Sequence, residues 1–158
     1  MKQPGPASGG RSSAPAAGDQ PDLAARAWRN LGILMHERSD RRAEVTEALG
    51  MSFFRVKALR RLAAAPEPLT LRGLADRLVS DRPYVTLVVD DLVERGLVER
   101  TANPADRRSK LVTVTAAGRA VAAEAERILS TPPAALYELS PEELAVLDRV
   151  AARLVEDD

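Results

Sequence analysis

The sequence predicts a mostly α-helical chain with one small β-hairpin, an α+β class. Three observations carry that expectation. Apolar residues recur at helical spacing through most of the chain beyond residue 20. Two short helical segments, residues 71–79 and 82–95, are separated by a tight polar turn at Ser80 and Asp81. Between Leu97 and Thr115 the pattern becomes extended, with strand-forming residues on either side of Asn103 and Pro104.

Residues 1–20 combine Pro, Gly, Ser and Ala without an apolar run, the composition of a disordered tail and not of a secretion signal. From residue 21 to about 38, Leu23, Ala27, Leu31 and Leu34 form a helical stripe, with Asp22 placed to cap it and Trp28 beside it. A short helix over residues 41–49 precedes Gly50. Ser52 then caps a segment reaching Ala64, with Phe53, Phe54, Val56, Leu59 and Leu62 as its apolar residues, and Pro66 and Pro68 end it. Thr70 caps the next helix, and Ser80 or Asp81 caps the one after, with Pro83 in its first turn and Gly96 as a left-handed stop. In that helix Val85, Val88, Val89 and Leu92 are spaced to be buried, so Tyr84, Thr86 and Asp90 turn outward. Two helices joined this tightly make a helix-turn-helix.

Residues 97–101 and 110–115 then read as the two strands of a hairpin with a charged tip. Thr115 opens a helix from Ala116 to about Leu129. After the break at Thr131, Pro132 and Pro133, the run Ser140-Pro-Glu-Glu143 is a capping box ahead of a last helix with Leu144, Leu147, Ala151 and Leu154 on one face.

With 158 residues, 45% of them hydrophobic, the chain has material for one domain with tails. The absence of cysteine excludes disulfides, thiolate metal sites and thiol nucleophiles. A single histidine, His36, leaves no catalytic triad of evident spacing and no multi-histidine metal site. The acidic pairs Asp90/Asp91 and Glu142/Glu143 are adjacent on helices and diverge, so they are not paired catalytic carboxylates. No enzyme, cofactor or metal is expected. The formal net charge is zero, yet residues 116–158 hold four arginines against nine acids, leaving 19 basic and 14 acidic groups in residues 1–115. Twenty of the 23 basic residues are arginine, which suits phosphate and base contacts and equally reflects a GC-rich coding sequence. No apolar run reaches the roughly 18 to 20 residues that span a bilayer, so a cytoplasmic protein without a membrane partner is expected.

The ordered set of a short helix, a turn, a longer helix ending in LVERGLVER and a hairpin containing NPADRRSKLVTVT resembles the winged helix-turn-helix core of the MarR family over residues 52–118. The flanking helices resemble that family's dimerisation elements, extending the likeness over nearly all of residues 22–156. The stretch from Asp106 to Thr115 is its most specific part, an acid and arginines followed by a strand and a threonine cap. The expected layout is a tail (1–20), an N-terminal dimerisation region (21–50), the winged DNA-binding core (51–118) and C-terminal dimerisation helices (119–158).

A hairpin beside a recognition helix can place a guanidinium in the minor groove while the helix occupies the adjacent major groove. Arg108 is the candidate for that insertion. The resemblance implies that Asp106 pairs with an arginine to orient the tip, while Arg107 touches phosphate or shares that pairing. Docking puts the N-terminal part of the recognition helix nearest the bases, which nominates Arg82, Pro83, Tyr84 and Thr86, with Leu87 at the edge. Leu87 and Asp91 stand where the family often carries basic residues. Arg72 and Ser80 are candidates for phosphate contact, although Thr70 and Ser80 also read as plain helix caps.

The resemblance further implies a homodimer on duplex DNA, a pseudopalindromic operator with half-sites about 10 bp apart, and a small-molecule effector, often an aromatic or phenolic anion. By position, Trp28, Met35, His36 and Phe54 could line its site; Trp28 and Phe54 read equally as core and His36 as surface. The function expected is that of a ligand-modulated transcription regulator, a repressor. The alternative is a winged-helix module that binds a protein partner without specific DNA binding.

Overall fold

The computed structural model describes residues 19–156. The tail expected over residues 1–20 lies, but for its last two positions, outside the described residues. The chain divides into two units with the boundary between Ser39 and Asp40.

The first unit contributes helix α1 (Gln20–His36). Asp19 occupies its N-cap without a side-chain hydrogen bond, and Pro21 sits in the first turn. Asp22, expected as the cap, is instead inside that turn, where its charge complements the helix dipole. The helix ends as the Glu37 and Arg38 N–H groups both donate to the Ile33 carbonyl. It buries none of its own residues, and Trp28 is 79% exposed.

The second unit begins with α2 (Arg41–Leu49), capped by Asp40, whose carboxylate accepts from the Ala43 N–H, and closed by Gly50 in the left-handed conformation. Next come α3 (Phe53–Ala64), the two-residue strand β1 (Leu69–Thr70), α4 (Leu71–Leu78) and α5 (Arg82–Glu94). Strands β2 (Val98–Ala102) and β3 (Lys110–Val114) form the hairpin. Helix α6 (Ala116–Ser130), a 3-10 turn (Ala134–Glu138) and α7 (Pro141–Glu156) complete it. The Ser52 hydroxyl makes no cap bond; it accepts from Arg55 Nη1 instead. The predicted box ahead of α7 forms in full: the Ser140 N–H donates to Glu143 Oε2 at 2.8 Å and the Glu143 N–H to Ser140 Oγ at 3.3 Å.

The sheet is antiparallel in the order β1-β3-β2, with Val98 opposite Val114, Arg100 opposite Val112, and Leu69 also opposite Val112 on the other side. Strand β1 is not evident from sequence because two residues carry no periodicity; its partner strand creates it. One core runs through α2 to α6 and the sheet, with Leu59, Leu74, Val85, Val88, Val89, Leu92 and Val112 almost completely buried. Each such side chain contributes about 1.5–3 kcal/mol relative to exposure.

Two chain reversals position the winged part. At the end of α5 the Gly96 N–H donates to the Val93 carbonyl and the Leu97 N–H to the Leu92 carbonyl, with Gly96 left-handed and Leu92 and Leu97 both buried. The same bonding pattern ends α4, but there the left-handed residue is Val79, at φ 52°. A β-branched residue in this conformation stores about 1–2 kcal/mol of strain, and Val79 is 92% exposed.

Thr115 closes the wing onto α6: its N–H donates to the Leu97 carbonyl, its hydroxyl donates to the Gly96 carbonyl, and the same oxygen accepts from the Gly118 N–H. This draws the first turn of α6 against the start of β2. A Cβ on Gly118 would overlap the Leu97 carbonyl oxygen and come within 2.8 Å of Val114 Cγ1. Gly118→Ala is therefore expected to lower stability by about 1–3 kcal/mol in urea unfolding. Gly73→Ala, whose Cβ would meet only Thr70 Oγ1 at 3.4 Å, should raise it by about 0.5–1 kcal/mol through helix propensity.

Candidate nucleic-acid interface

The helix-turn-helix is set by its two caps. Thr70 Oγ1 accepts from the Gly73 N–H at 3.1 Å, and Asp81 Oδ1 accepts from the Tyr84 N–H at 2.9 Å, so Asp81 and not Ser80 starts α5. With Val85, Val88, Val89 and Leu92 buried, the opposite side of α5 is the ridge Pro83, Leu87 and Asp90. Arg82 and Thr86 flank it on one side and Tyr84 on the other. Thr86 Oγ1 donates back to the Arg82 carbonyl. Tyr84 packs its ring on Phe54 of α3, centroids 4.8 Å apart and tilted by 52°.

The N-termini of α4 and α5 face the tip of the hairpin across a cleft of about 580 Å3. Thr70, Leu71 and Arg72 line it from α4, Arg82 from α5, and Asn103, Asp106, Arg108, Ser109 and Lys110 from the wing. Four cations and one carboxylate thus border one opening. The tip is braced internally: Asn103 Nδ2 donates to Ser109 Oγ, Asn103 Oδ1 accepts from the Ala105 N–H, and Asp106 Oδ1 accepts from the Arg108 N–H at 2.9 Å. The expected pairing of Asp106 with an arginine side chain is not found among the described residues; the carboxylate bonds the backbone two residues on, an Asx turn that orients the tip by itself. Arg107 is exposed at the tip and does not line the cleft.

Two of the three acids of α5, Asp90 and Asp91, are neutralised by arginines in and around the helix, while Glu94 at its end stays exposed. Asp91 accepts from Arg55 Nε of α3 at 2.9 Å and from Arg95 Nε at 2.7 Å, while Asp90 pairs with Arg100 of β2 at 2.6 Å. Partial burial raises the pKa of Asp91, but hydrogen bonds and charge from Arg95 and Arg55 outweigh it and hold the carboxyl below its ordinary value. These arginines tie α5 to α3 and to the wing.

Of the predicted DNA-contacting residues, Arg72, Arg82, Asp106 and Arg108 meet at the cleft; Pro83, Tyr84 and Thr86 lie on α5 beside it, and Ser80 is in the turn. Sequence reasoning missed Asn103, Ser109 and Lys110 as cleft residues, and Arg55 and Arg100 as supports. The strand alternation around Lys110 carried a signal; the Arg55–Asp91 pair, 36 residues apart, left none. Of the predicted effector residues, Trp28, Met35 and His36 are exposed on α1, and Phe54 is half-buried against the core and Tyr84. Among the described residues, no group of three His, Cys, Asp or Glu is placed to hold a metal ion, and no helix is long and apolar enough to cross a membrane.

The MarR family model matches residues 55–110, from α3 to the first residue of β3. Over these residues the chain is similar to the MarR family. No curated protein sequence matches the chain. Among solved structures, YusO from Bacillus subtilis is similar with a TM-score of 0.71 and 22% identity, covering 87% of this chain and 98% of that one. The MepR–DNA complex of S. aureus is similar with a TM-score of 0.58 and 20% identity (82% and 98% covered). CouR from Rhodococcus jostii RHA1, bound to p-coumaroyl-CoA, is similar with a TM-score of 0.56 and 24% identity (89% and 95% covered). At these identities the likeness establishes the MarR-type winged fold.

The Asp91 cluster sets a pH signature. A carboxyl whose pKa is depressed by folding stabilises fully above its unfolded value, about 3.9, and loses that contribution as pH falls through the folded value. In urea unfolding at pH 7, Asp91→Asn is expected to cost about 1–2 kcal/mol. The gap to the unsubstituted protein should close as the acid range is entered.

Proposed function

We propose that this protein is a cytoplasmic, sequence-specific transcription regulator, a repressor, that binds duplex DNA as a homodimer. The observation that carries this reading is the cleft where Arg72, Arg82, Arg108 and Lys110 converge beside the outward ridge of α5. Cations at two helix N-termini suit phosphate oxygens. With α5 in the major groove, the wing reaches the adjacent minor groove, where Arg108 meets concentrated negative potential. The neutralisation of Asp90 and Asp91 reduces the repulsion between α5 and a polyanion, leaving only Glu94 unpaired among the acids of this helix.

The flanking helices supply the dimer. Helix α7 buries none of its residues and exposes Leu144, Leu147, Val150 and Leu154; α1 exposes Trp28, Leu31 and Met35. Apolar faces of this extent need a partner, and a second copy is the simplest, making residues 21–50 and 119–158 the dimerisation regions around the DNA-binding core 51–118. A two-fold dimer then reads a pseudopalindrome with half-sites about 10 bp apart. A small aromatic anion, acting as effector, changes affinity by favouring one spacing of the reading heads. The CouR complex with an aromatic acyl-CoA is a precedent within the fold.

The test is a titration of the purified protein against the intergenic DNA upstream of its gene, with an unrelated duplex as control. Selective binding that weakens steeply with salt is expected; binding indifferent to sequence and salt would favour a protein partner. Arg108→Ala should leave the fold intact and weaken operator binding by about 1–3 kcal/mol. Leu147→Asp, by placing an unpaired charge in the dimer seam, should yield monomers or aggregates in sedimentation analysis.

A further inference from the structure

The centre of the surface that α5 offers to a DNA groove, around Pro83 and Leu87, is short of hydrogen-bonding groups. Asp90 is held by Arg100 at 2.6 Å, and Asp91 by Arg55 and Arg95. The Thr86 hydroxyl gives its proton to the Arg82 carbonyl at 2.9 Å. Tyr84 packs its ring on Phe54 at the flank of the ridge, so its hydroxyl lies off the centre of the helix face. What remains at the centre of the ridge is Pro83, which has no N–H, and one turn further Leu87, 65% exposed. A leucine at that position gains nothing from water. Arg82 stands beside it, together with Arg72, Arg108 and Lys110 around the cleft, so a polyanion drawn to these cations would press its groove onto the apolar ridge.

In the major groove one base alone presents an apolar group, the 5-methyl of thymine. We infer that Leu87, backed by Pro83, is a specificity-determining residue that reads thymine methyl groups, so that each half-site carries a thymine opposite the centre of α5. This rests on the DNA-binding reading and extends it from binding to the chemistry of the preferred base. It also explains how a recognition helix with Leu87 and Asp91 can discriminate sequences: the neutralised acids support the helix, and the contrast between bases comes from a methyl group and not from a bidentate side chain.

The test uses the full chain and a duplex selected by it from a random-sequence library. Thymines of the selected duplex are replaced one at a time by deoxyuridine, which deletes the methyl and leaves the base-pairing groups unchanged. Burying one methyl is worth roughly a fourfold change in affinity, so one position per half-site should weaken binding about fourfold, and about fifteenfold when both half-sites are changed. Leu87→Ala should bind the thymine and deoxyuridine duplexes equally, while Leu87→Met should keep the discrimination. A selected duplex that tolerates deoxyuridine everywhere would overturn the inference, as would a Leu87→Ala protein that still discriminates like the unsubstituted one. Failure to select any duplex would remove the DNA-binding reading, and the inference with it.

Discussion

The junction where α5 ends, the wing begins and α6 starts is the constraint on which the rest of the winged part depends. Gly96 turns the chain left-handed, the Leu97 carbonyl accepts the Thr115 N–H, and Thr115 in turn caps α6. Three elements are thereby referenced to one short stretch of backbone. Because Gly118 has no Cβ, α6 can come close enough for Val114 and Ala122 to join the core. The wing projects from this junction, so the separation between its tip and the N-terminus of α5 follows from bonds made at the far end of both. A side chain on Gly118 would push against the same carbonyl that holds the hairpin.

Charge is arranged on a second principle. The chain has as many acids as bases, which by itself says little about a polyanionic partner. In the folded chain, two of the three acids on α5, Asp90 and Asp91, are consumed by Arg55, Arg95 and Arg100, which come from α3, from just beyond the end of α5 and from β2. Arg72, Arg82, Arg108 and Lys110 are left to border the cleft. The same ion pairs that remove negative charge from α5 also brace it against its neighbours, so support and electrostatics are one device.

Helices and their ends were largely legible in the sequence because their determinants are local. Asp81, Thr70, Thr115 and the Ser140–Glu143 box are read from neighbours three residues away, and the stripe Val85, Val88, Val89 and Leu92 from a period of 3.6. Where local rules compete, they mislead: Asp22 looks as good a cap as Asp19, and Ser52 makes its bond to Arg55 instead of to its own helix. Val79 in a left-handed turn was illegible, since propensity would place glycine there.

For the candidate site, the sequence by itself determined the helix-turn-helix, the hairpin and the cations that flank them, because capping and alternation act over a few residues. The tertiary structure decided which of those cations remain free, since Asp90 and Asp91 find partners from elements distant in the chain. It decided that Phe54 supports Tyr84, and that Asp106 turns the tip through backbone and not through an arginine. It also brought Lys110, Asn103 and Ser109 to the cleft. Contacts of this kind depend on distance in space, which the folded core sets and sequence spacing does not encode.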